Sequence, residues 1–170
     1  MKKTKKLTCV IAIMTLMTFT AGTIEDVLGN SLADSQDEGS TMKPVMSQLG
    51  FEDTVYKNTA DGVWRLDNGV AVYSSSRYAG DVKGFRGEVP LFIAVDQNNI
   101  IVGIAAGENR ETPDYWNFVV NSGLLQKWNG MTLDAALHSE ADVVSGATSS
   151  STGVINTVRK TISGIKDNLK

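Results

Sequence analysis

A hairpin that is apolar on both faces constrains the fold of this chain more than any other sequence feature. Residues 89–95 and 100–106 form two apolar runs, and the polar turn Asp-Gln-Asn-Asn at 96–99 separates them. Short apolar runs bounded by turn residues are typical of strands that are covered on both sides. The sequence therefore predicts that this hairpin is the buried centre of a sheet.

Other segments predict a second hairpin and several helices. Asp67-Asn68-Gly69 is a strong turn sequence, and residues 63–66 and 70–73 on either side of it have strand character. Helices are predicted at 45–49, at 113–120 with Pro113 in the first turn and Gly123 as the stop, and at 133–137. We therefore predict a single small α+β domain, in which an antiparallel sheet of hairpins is packed with helices.

A hydroxyl-rich loop at residues 142–152 leads directly into an amphipathic helix. The apolar stripe of this helix comprises Val154, Ile155, Val158, Ile162, Ile165 and Leu169. The loop therefore lies at a helix N-terminus, where unpaired backbone N–H groups and the helix dipole favour an anion such as phosphate. The alternative is that these Ser and Thr residues only cap the helix, which is their common role at such positions.

The pattern Asp-x-x-Ser-Gly-Ala-Thr-x-Ser in this loop resembles the flavinylation motif of the FMN-binding domain family. Members include flavin-carrying components of Rnf complexes and of sodium-pumping NADH:quinone reductases. The resemblance implies that a flavin transferase joins FMN through a phosphoester to the last hydroxyl of the motif, here Ser150. The other cofactor-binding residues that it implies in the motif are Asp142, Ser145, Gly146, Ala147, Thr148 and Ser149.

The resemblance extends upstream and covers roughly residues 60–165. The segment 84–91 resembles the family's Gly-Tyr-x-Gly-Pro-Ile, and 108–113 resembles its Glu-His-x-Glu-Thr-Pro-Gly. Asn109 and Asp114 depart from the His and Gly of many members. The family's half-barrel sheet agrees with the predicted fold, and the implied flavin contacts here are Gly84, Phe85, Leu91, Glu111, Thr112 and Pro113.

The N-terminus has the pattern of an export sequence. Residues 1–6 contain four lysines, and residues 7–22 are uncharged and largely apolar. The run is short for a membrane-spanning helix, which needs about 20 residues, and we favour cleavage after Ala21 or Gly22 over retention as an anchor. The predicted organisation is a signal peptide or anchor at 1–22, a linker at 23–44 and the FMN-binding domain at 45–170.

Composition excludes several classes of site. Cys9 is the only cysteine and lies inside the apolar run, so the exported part has no thiol for a disulfide or a cysteine nucleophile. His138 is the only histidine, which argues against a histidine metal cluster. Without the four lysines of 1–22, 12 basic residues remain against 19 acidic ones, a net charge of −7 that disfavours nucleic acid as a partner.

The leading interpretation is an extracytoplasmic flavoprotein, periplasmic or on the outer membrane face, that carries electrons between membrane-side redox partners. No nucleophile–base set is visible in the sequence, so we predict no catalytic residues and no metal site. The first alternative is a flavin-carrying component of an Rnf-type complex, anchored by residues 7–22. The second is an exported module that binds phosphate non-covalently, and a remote third is a hydrolase that uses the Ser-x-x-Lys sequence at 163–166.

Overall fold

The structure, a computed structural model, describes residues 42–169. The predicted signal peptide or anchor at 1–22 and most of the predicted linker at 23–44 lie outside this range. Helical structure begins at residue 42, three residues before the predicted start of the domain. Among residues 42–169, no helix combines the length and the apolar character needed to cross a membrane.

Five antiparallel strands form one open sheet in which each strand pairs with the next along the chain. The strands are β1 Tyr56–Ala60, β2 Val63–Leu66, β3 Ala71–Ser74, β4 Leu91–Val95 and β5 Ile101–Ala106. The two predicted hairpins are β2–β3 and β4–β5. The α+β class and the antiparallel sheet of hairpins are thus confirmed. The sequence analysis missed β1, because its polar, mostly exposed residues lack the alternation of a half-buried strand.

The helices surround this sheet. They are α1 (residues 42–49), α2 Ser76–Ala79, α3 Pro113–Asn121, the 3-10 helix Leu124–Trp128, α4 Leu133–His138 and α5 Thr148–Asn168. The predicted helices correspond to α1, α3, α4 and α5, and Gly123 follows α3 with a φ of +76°. The four residues of α2 were missed, because one turn is too short to show helical periodicity.

Apolar side chains cover the two faces of the sheet in separate clusters. On one face, Met42, Val45 and Met46 of α1 pack with sheet residues that include Trp64 and Val72. The other face packs against α5, α4 and the segment 119–128. The fully buried members of this larger cluster are Leu91, Ile93, Ile101, Val119, Trp128, Ala136, Val154, Val158, Ile162 and Ile165. Helices on both faces therefore explain why β4 is apolar throughout.

The β4–β5 hairpin is buried, but it lies at one side of the sheet and not at its centre. Within residues 42–169, no further strand of the sheet follows β5. Residues 130–132 cover its outer edge, since the Ile101 N–H donates to the Met131 carbonyl at 2.9 Å and the Gly130 N–H donates to the Ile101 carbonyl at 2.8 Å. A connecting segment thus satisfies edge groups that a neighbouring strand would otherwise satisfy.

Helix α5 approaches the loop after α2 so closely that both backbones need glycine. A Cβ at Gly153 would lie 2.6 Å from the Cα of Gly84 and 3.1 Å from the carbonyl oxygen of Lys83. Neither contact involves a flexible side chain that could move aside. Gly153 therefore sets the position of the 83–87 loop against the first turns of α5.

We expect Gly153→Ala to lower the free energy of unfolding by about 1–3 kcal/mol, the usual cost of overpacking a close contact. Urea denaturation of the wild type and the variant measures this difference. Asn156→Ala, at an exposed position of the same helix, is the control and should change stability by no more than about 0.5 kcal/mol. Equal stability of Gly153→Ala and the wild type would contradict the close approach of the two backbones.

Candidate functional site

The N-terminus of α5 follows a tight turn whose third residue must be glycine. The Ala147 N–H donates to the Val144 carbonyl at 3.0 Å, and Gly146 has a φ of +81°. A positive φ at this position is typical of a type II turn. The N-cap residue is Ala147, which has no side-chain acceptor for the first N–H groups of the helix. The alternative that Ser or Thr caps this helix is therefore wrong.

Ser151 fixes the loop onto the first turn of α5. Its hydroxyl accepts from the Val144 N–H at 3.0 Å and donates to the Ala147 carbonyl at 2.9 Å. The side chain is fully buried. Sequence analysis did not assign Ser151 a role, although it belongs to the same run of hydroxyl residues. Its contacts hold the turn in place from inside the fold.

The three hydroxyl residues that precede Ser151 differ in exposure. Thr148 and Ser149 are exposed at the start of the helix. Ser150 is only 1% exposed, and its Oγ donates to Oε2 of Glu111. The first two side chains therefore face solvent, whereas the third is held by a carboxylate.

Glu111 connects three segments that are distant in the sequence. Besides the Ser150 hydroxyl, its carboxylate accepts from the Arg86 N–H at 2.8 Å and from the Phe85 N–H at 3.2 Å. The side chain is 7% exposed. The Glu111 N–H itself donates to the Asn109 side chain at 3.1 Å. One buried carboxylate thus joins the 84–87 loop, the 109–113 segment and α5.

Ser150 and Glu111 have the arrangement of a hydroxyl nucleophile and a base. An adjacent group that accepts the hydroxyl proton is the usual means of activating serine. Sequence analysis found no such set, because the two residues are 39 positions apart and only the fold brings them together. The pattern that could have found it is the family resemblance, which named both residues for other reasons.

The 84–87 loop is closed by a hydrogen bond from the Gly84 N–H to the Gly87 carbonyl at 2.7 Å. A Cβ at Gly84 would lie 2.9 Å from Oε1 of Glu111 and 2.9 Å from a methyl group of Val89. Glycine at this position therefore lets the loop reach both the Glu111 carboxylate and α5. The Phe85 side chain next to it is 56% exposed.

These elements enclose a pocket of about 310 Å³ at the N-terminus of α5. Its walls are Phe85, Tyr115 and residues 146–150. The rings of Phe85 and Tyr115 meet edge to face, with their centroids 6.0 Å apart. The pocket therefore combines a helix N-terminus and hydroxyl groups with aromatic side chains.

The remaining predicted cofactor-binding residues lie around or away from this pocket. Thr112 is the N-cap residue of α3, without a side-chain capping bond, and Pro113 occupies its first turn. Asp142 and Ser145 are exposed but do not line the pocket. Leu91 is fully buried at the start of β4 and packs in the core. We therefore do not place Leu91 in the site, because the segment 84–91 passes from the pocket wall into the sheet.

A larger cavity of about 780 Å³ lies between α1, α3 and the sheet. Its apolar walls include Val45, Phe92, Ile104 and Trp116. None of the residues of the hydroxyl loop lines it. Size alone would favour this cavity as the ligand site, but the groups suited to a phosphate are at the smaller pocket.

The other sequence candidates take structural positions. His138 is exposed, and its Nδ1 lies 2.9 Å from the Asp134 carbonyl oxygen. In the Ser-x-x-Lys sequence, Ser163 is exposed and the Lys166 ammonium donates to the Asp134 carboxylate. This hydrogen bond lowers the pKa of Asp134 below its usual value. Lys166 is therefore engaged as a cation in an ion pair and is not positioned as a base for Ser163.

Comparison with known proteins agrees with the geometry of the pocket. The family described as FMN-binding domain matches residues 84–163. The match begins at Gly84 and includes Glu111, α3 and the hydroxyl loop, so it contains every wall of the small pocket. No curated protein matches the chain. Through residues 84–163, this chain belongs to the FMN-binding domain family.

Proposed function

We propose that this protein is an electron carrier that holds FMN covalently, through a phosphoester to the hydroxyl group of Ser150. The observation that carries this proposal is the hydrogen bond from the Ser150 hydroxyl to the Glu111 carboxylate, in the wall of the pocket of the FMN-binding domain. A hydroxyl paired with a base and an anion-binding helix end are the two features that phosphoester attachment needs.

The residues present fit a phosphate. Backbone N–H groups at the start of a helix attract an anion, and the helix dipole adds to this attraction. Ala147 leaves these groups without a side-chain acceptor, and Gly146 presents no side chain where the turn faces the pocket. The nearest contact to a Cβ at Gly146 would be the Phe118 ring at 3.9 Å. A phosphate can therefore approach the backbone of the turn.

Glu111 has two roles in this proposal. Its carboxylate takes the proton of Ser150, which makes the hydroxyl oxygen a better nucleophile. Taking the proton also neutralises the carboxylate, so the buried acid does not face the incoming phosphate as a second negative charge. The Phe85 and Arg86 N–H groups hold the carboxyl group in place throughout.

The attachment step requires a flavin transferase that supplies an activated flavin phosphate. The Ser150 Oγ–phosphorus bond forms, the bond from phosphorus to the donor's leaving phosphate oxygen breaks, and the hydroxyl proton passes to Glu111. Bound FMN supplies the redox chemistry, accepting and returning one or two electrons. The chain's own residues hold the phosphate at α5 and shape the surroundings of the ring.

Thr148 is the competing acceptor within the same pocket wall. Its side chain is exposed, whereas Ser150 is 1% exposed and must turn from Glu111 into the pocket as the bond forms. Ser150 has the carboxylate that accepts its proton, and the family motif ends on it. We therefore favour chemistry over exposure and assign Ser150.

A covalent tether suits a protein that works outside the cytoplasm, where lost cofactor would not be replaced. Residues 1–22 support export, and membrane-side donors and acceptors would then be the redox partners. An Rnf-type component anchored by residues 7–22 and a module that binds phosphate non-covalently are the alternatives. The acidic balance of the chain supports a basic docking partner over nucleic acid.

After co-expression with a flavin transferase, we expect the intact mass of the wild type to rise by one FMN less water. Ser150→Ala should abolish this gain, because it removes the acceptor hydroxyl. Thr148→Ala should retain it, and this variant is the matched control within the same turn. Intact-protein mass spectrometry reads out all three proteins.

Two results would change this assignment. Loss of the gain in Thr148→Ala alone, with the fold retained, would identify Thr148 as the acceptor. No gain in the wild type, with a transferase shown to modify a control substrate, would favour the non-covalent module.

We expect Glu111→Ala to lower the free energy of unfolding by about 1–3 kcal/mol or more, because it leaves buried donors without an acceptor. Glu111→Gln should cost less, since the amide oxygen can still accept an N–H. The amide cannot take the Ser150 proton, so Glu111→Gln should nevertheless slow flavinylation severalfold. Urea denaturation measures the stabilities, and the time course of the mass gain measures the rate.

Glu108→Gln, an exposed position in the same segment, is the control for both measurements. Equal losses of stability in the Ala and Gln variants would argue against the hydrogen bonds at Glu111. Flavinylation of folded Glu111→Gln at the wild-type rate would show that Glu111 is not the base.

We expect the exported protein to begin near residue 22 or 23 and to appear in the soluble extracytoplasmic fraction. N-terminal sequencing of that fraction is the measurement. An intact N-terminus in the membrane fraction would support the anchored, Rnf-type alternative.

A further inference from the structure

Three large aromatic side chains are exposed around the pocket at the start of α5. The exposed fractions are 56% for Phe85, 42% for Tyr115 and 53% for Phe118. Single exposed apolar residues are common on protein surfaces, but a group of them beside a pocket indicates a binding surface. These three side chains come from two separate segments and meet around the same helix end.

The three rings line two sides of the approach to the helix. Tyr115 and Phe118 are three residues apart on α3 and therefore share one face of that helix. Phe85 meets Tyr115 edge to face at 6.0 Å, with an angle of 89° between the ring planes. Phe118 lies next to the turn, since a Cβ at Gly146 would be 3.9 Å from its ring.

The backbone behind Phe85 is held firmly. Its N–H and that of Arg86 donate to the buried Glu111 carboxylate, which also holds Ser150 of α5. Phe85 is therefore exposed at a defined position relative to the hydroxyl loop. The exposure of its ring is a feature of an ordered loop.

We propose that Phe85, Tyr115 and Phe118 form an aromatic platform that contacts the isoalloxazine ring of the flavin attached at Ser150. This inference rests on the proposed function. A flat ring with an apolar edge gains contact area and favourable ring–ring geometry from such side chains. The tether confines the flavin ring to the vicinity of Ser150, and these three residues make the exposed aromatic surface beside the pocket.

Tyr115 gives this platform a distinctive optical property. A phenol in contact with an excited flavin donates an electron to it and returns the pair to the ground state without emission. Phenylalanine is too difficult to oxidise to do so. Tyr115→Phe keeps the ring and its contact with Phe85, so it changes this property without emptying the pocket wall.

The experiment compares the flavin fluorescence of mass-verified, flavinylated wild type, Tyr115→Phe and Tyr78→Phe. Tyr78 is a matched control, because its ring packs against Gly164 near the far end of α5. Gly164 is 14 residues after Ser150 on this helix, which corresponds to roughly 21 Å along a helix axis. We expect severalfold brighter emission and a longer lifetime in Tyr115→Phe, and no change in Tyr78→Phe.

A second variant tests the platform through geometry. Phe118→Ala removes an exposed side chain and should leave the fold intact. It should weaken the visible circular dichroism of the flavin, because the ring loses an asymmetric contact and moves more freely. Val55→Ala, at an exposed apolar position just before β1, is the control and should leave the spectrum unchanged.

The outcomes separate the two proposals. Flavinylated Tyr115→Phe with unchanged emission, or flavinylated Phe118→Ala with unchanged circular dichroism, would overturn the platform and leave the covalent flavoprotein intact. Absence of flavin from the wild type by mass would overturn the proposed function and the platform with it.

Discussion

The candidate site depends on the buried carboxylate of Glu111. Three donors from the 84–87 loop and from α5 meet at this one side chain. A buried carboxylate loses its hydration and is stable only when hydrogen bonds replace it. The protein meets this need with groups from different segments, so the same bonds that satisfy Glu111 also bring the pocket walls together. The carboxylate that stabilises the site is also the group that can take a proton from Ser150.

A second constraint makes this arrangement possible. The carboxylate can reach both segments only because Gly84 and Gly153 let two backbones approach without side chains between them. The apolar stripe of α5 belongs to the larger core cluster, and this packing sets the rotation of the helix. Core packing, glycine contacts and the carboxylate thus act together to position a helix end. A phosphate site built in this way has its shape before any ligand arrives.

Much of the fold could be predicted from local sequence. The Asp-Asn-Gly turn, the apolar runs of β4 and β5, and the stripe of α5 each carry their own periodicity, and the structure has all of them. Sequence analysis placed β4–β5 at the centre of the sheet, because an apolar run shows that a strand is covered but not by what. Here residues 130–132 cover β5, which is a long-range contact with no local pattern.

The motif and the helix pattern by themselves determined that a hydroxyl loop would lie at a helix N-terminus, since helical periodicity and the turn before it are properties of adjacent residues. The resemblance to the family also identified Glu111, Phe85 and Ser150 as members of one site. Only the tertiary structure decided that the Ser150 hydroxyl meets the Glu111 carboxylate and that Leu91 belongs to the core. Helix rotation decides the first, and the path of the chain into the sheet decides the second. Both follow from packing between segments that are far apart in sequence, and no local pattern records such packing.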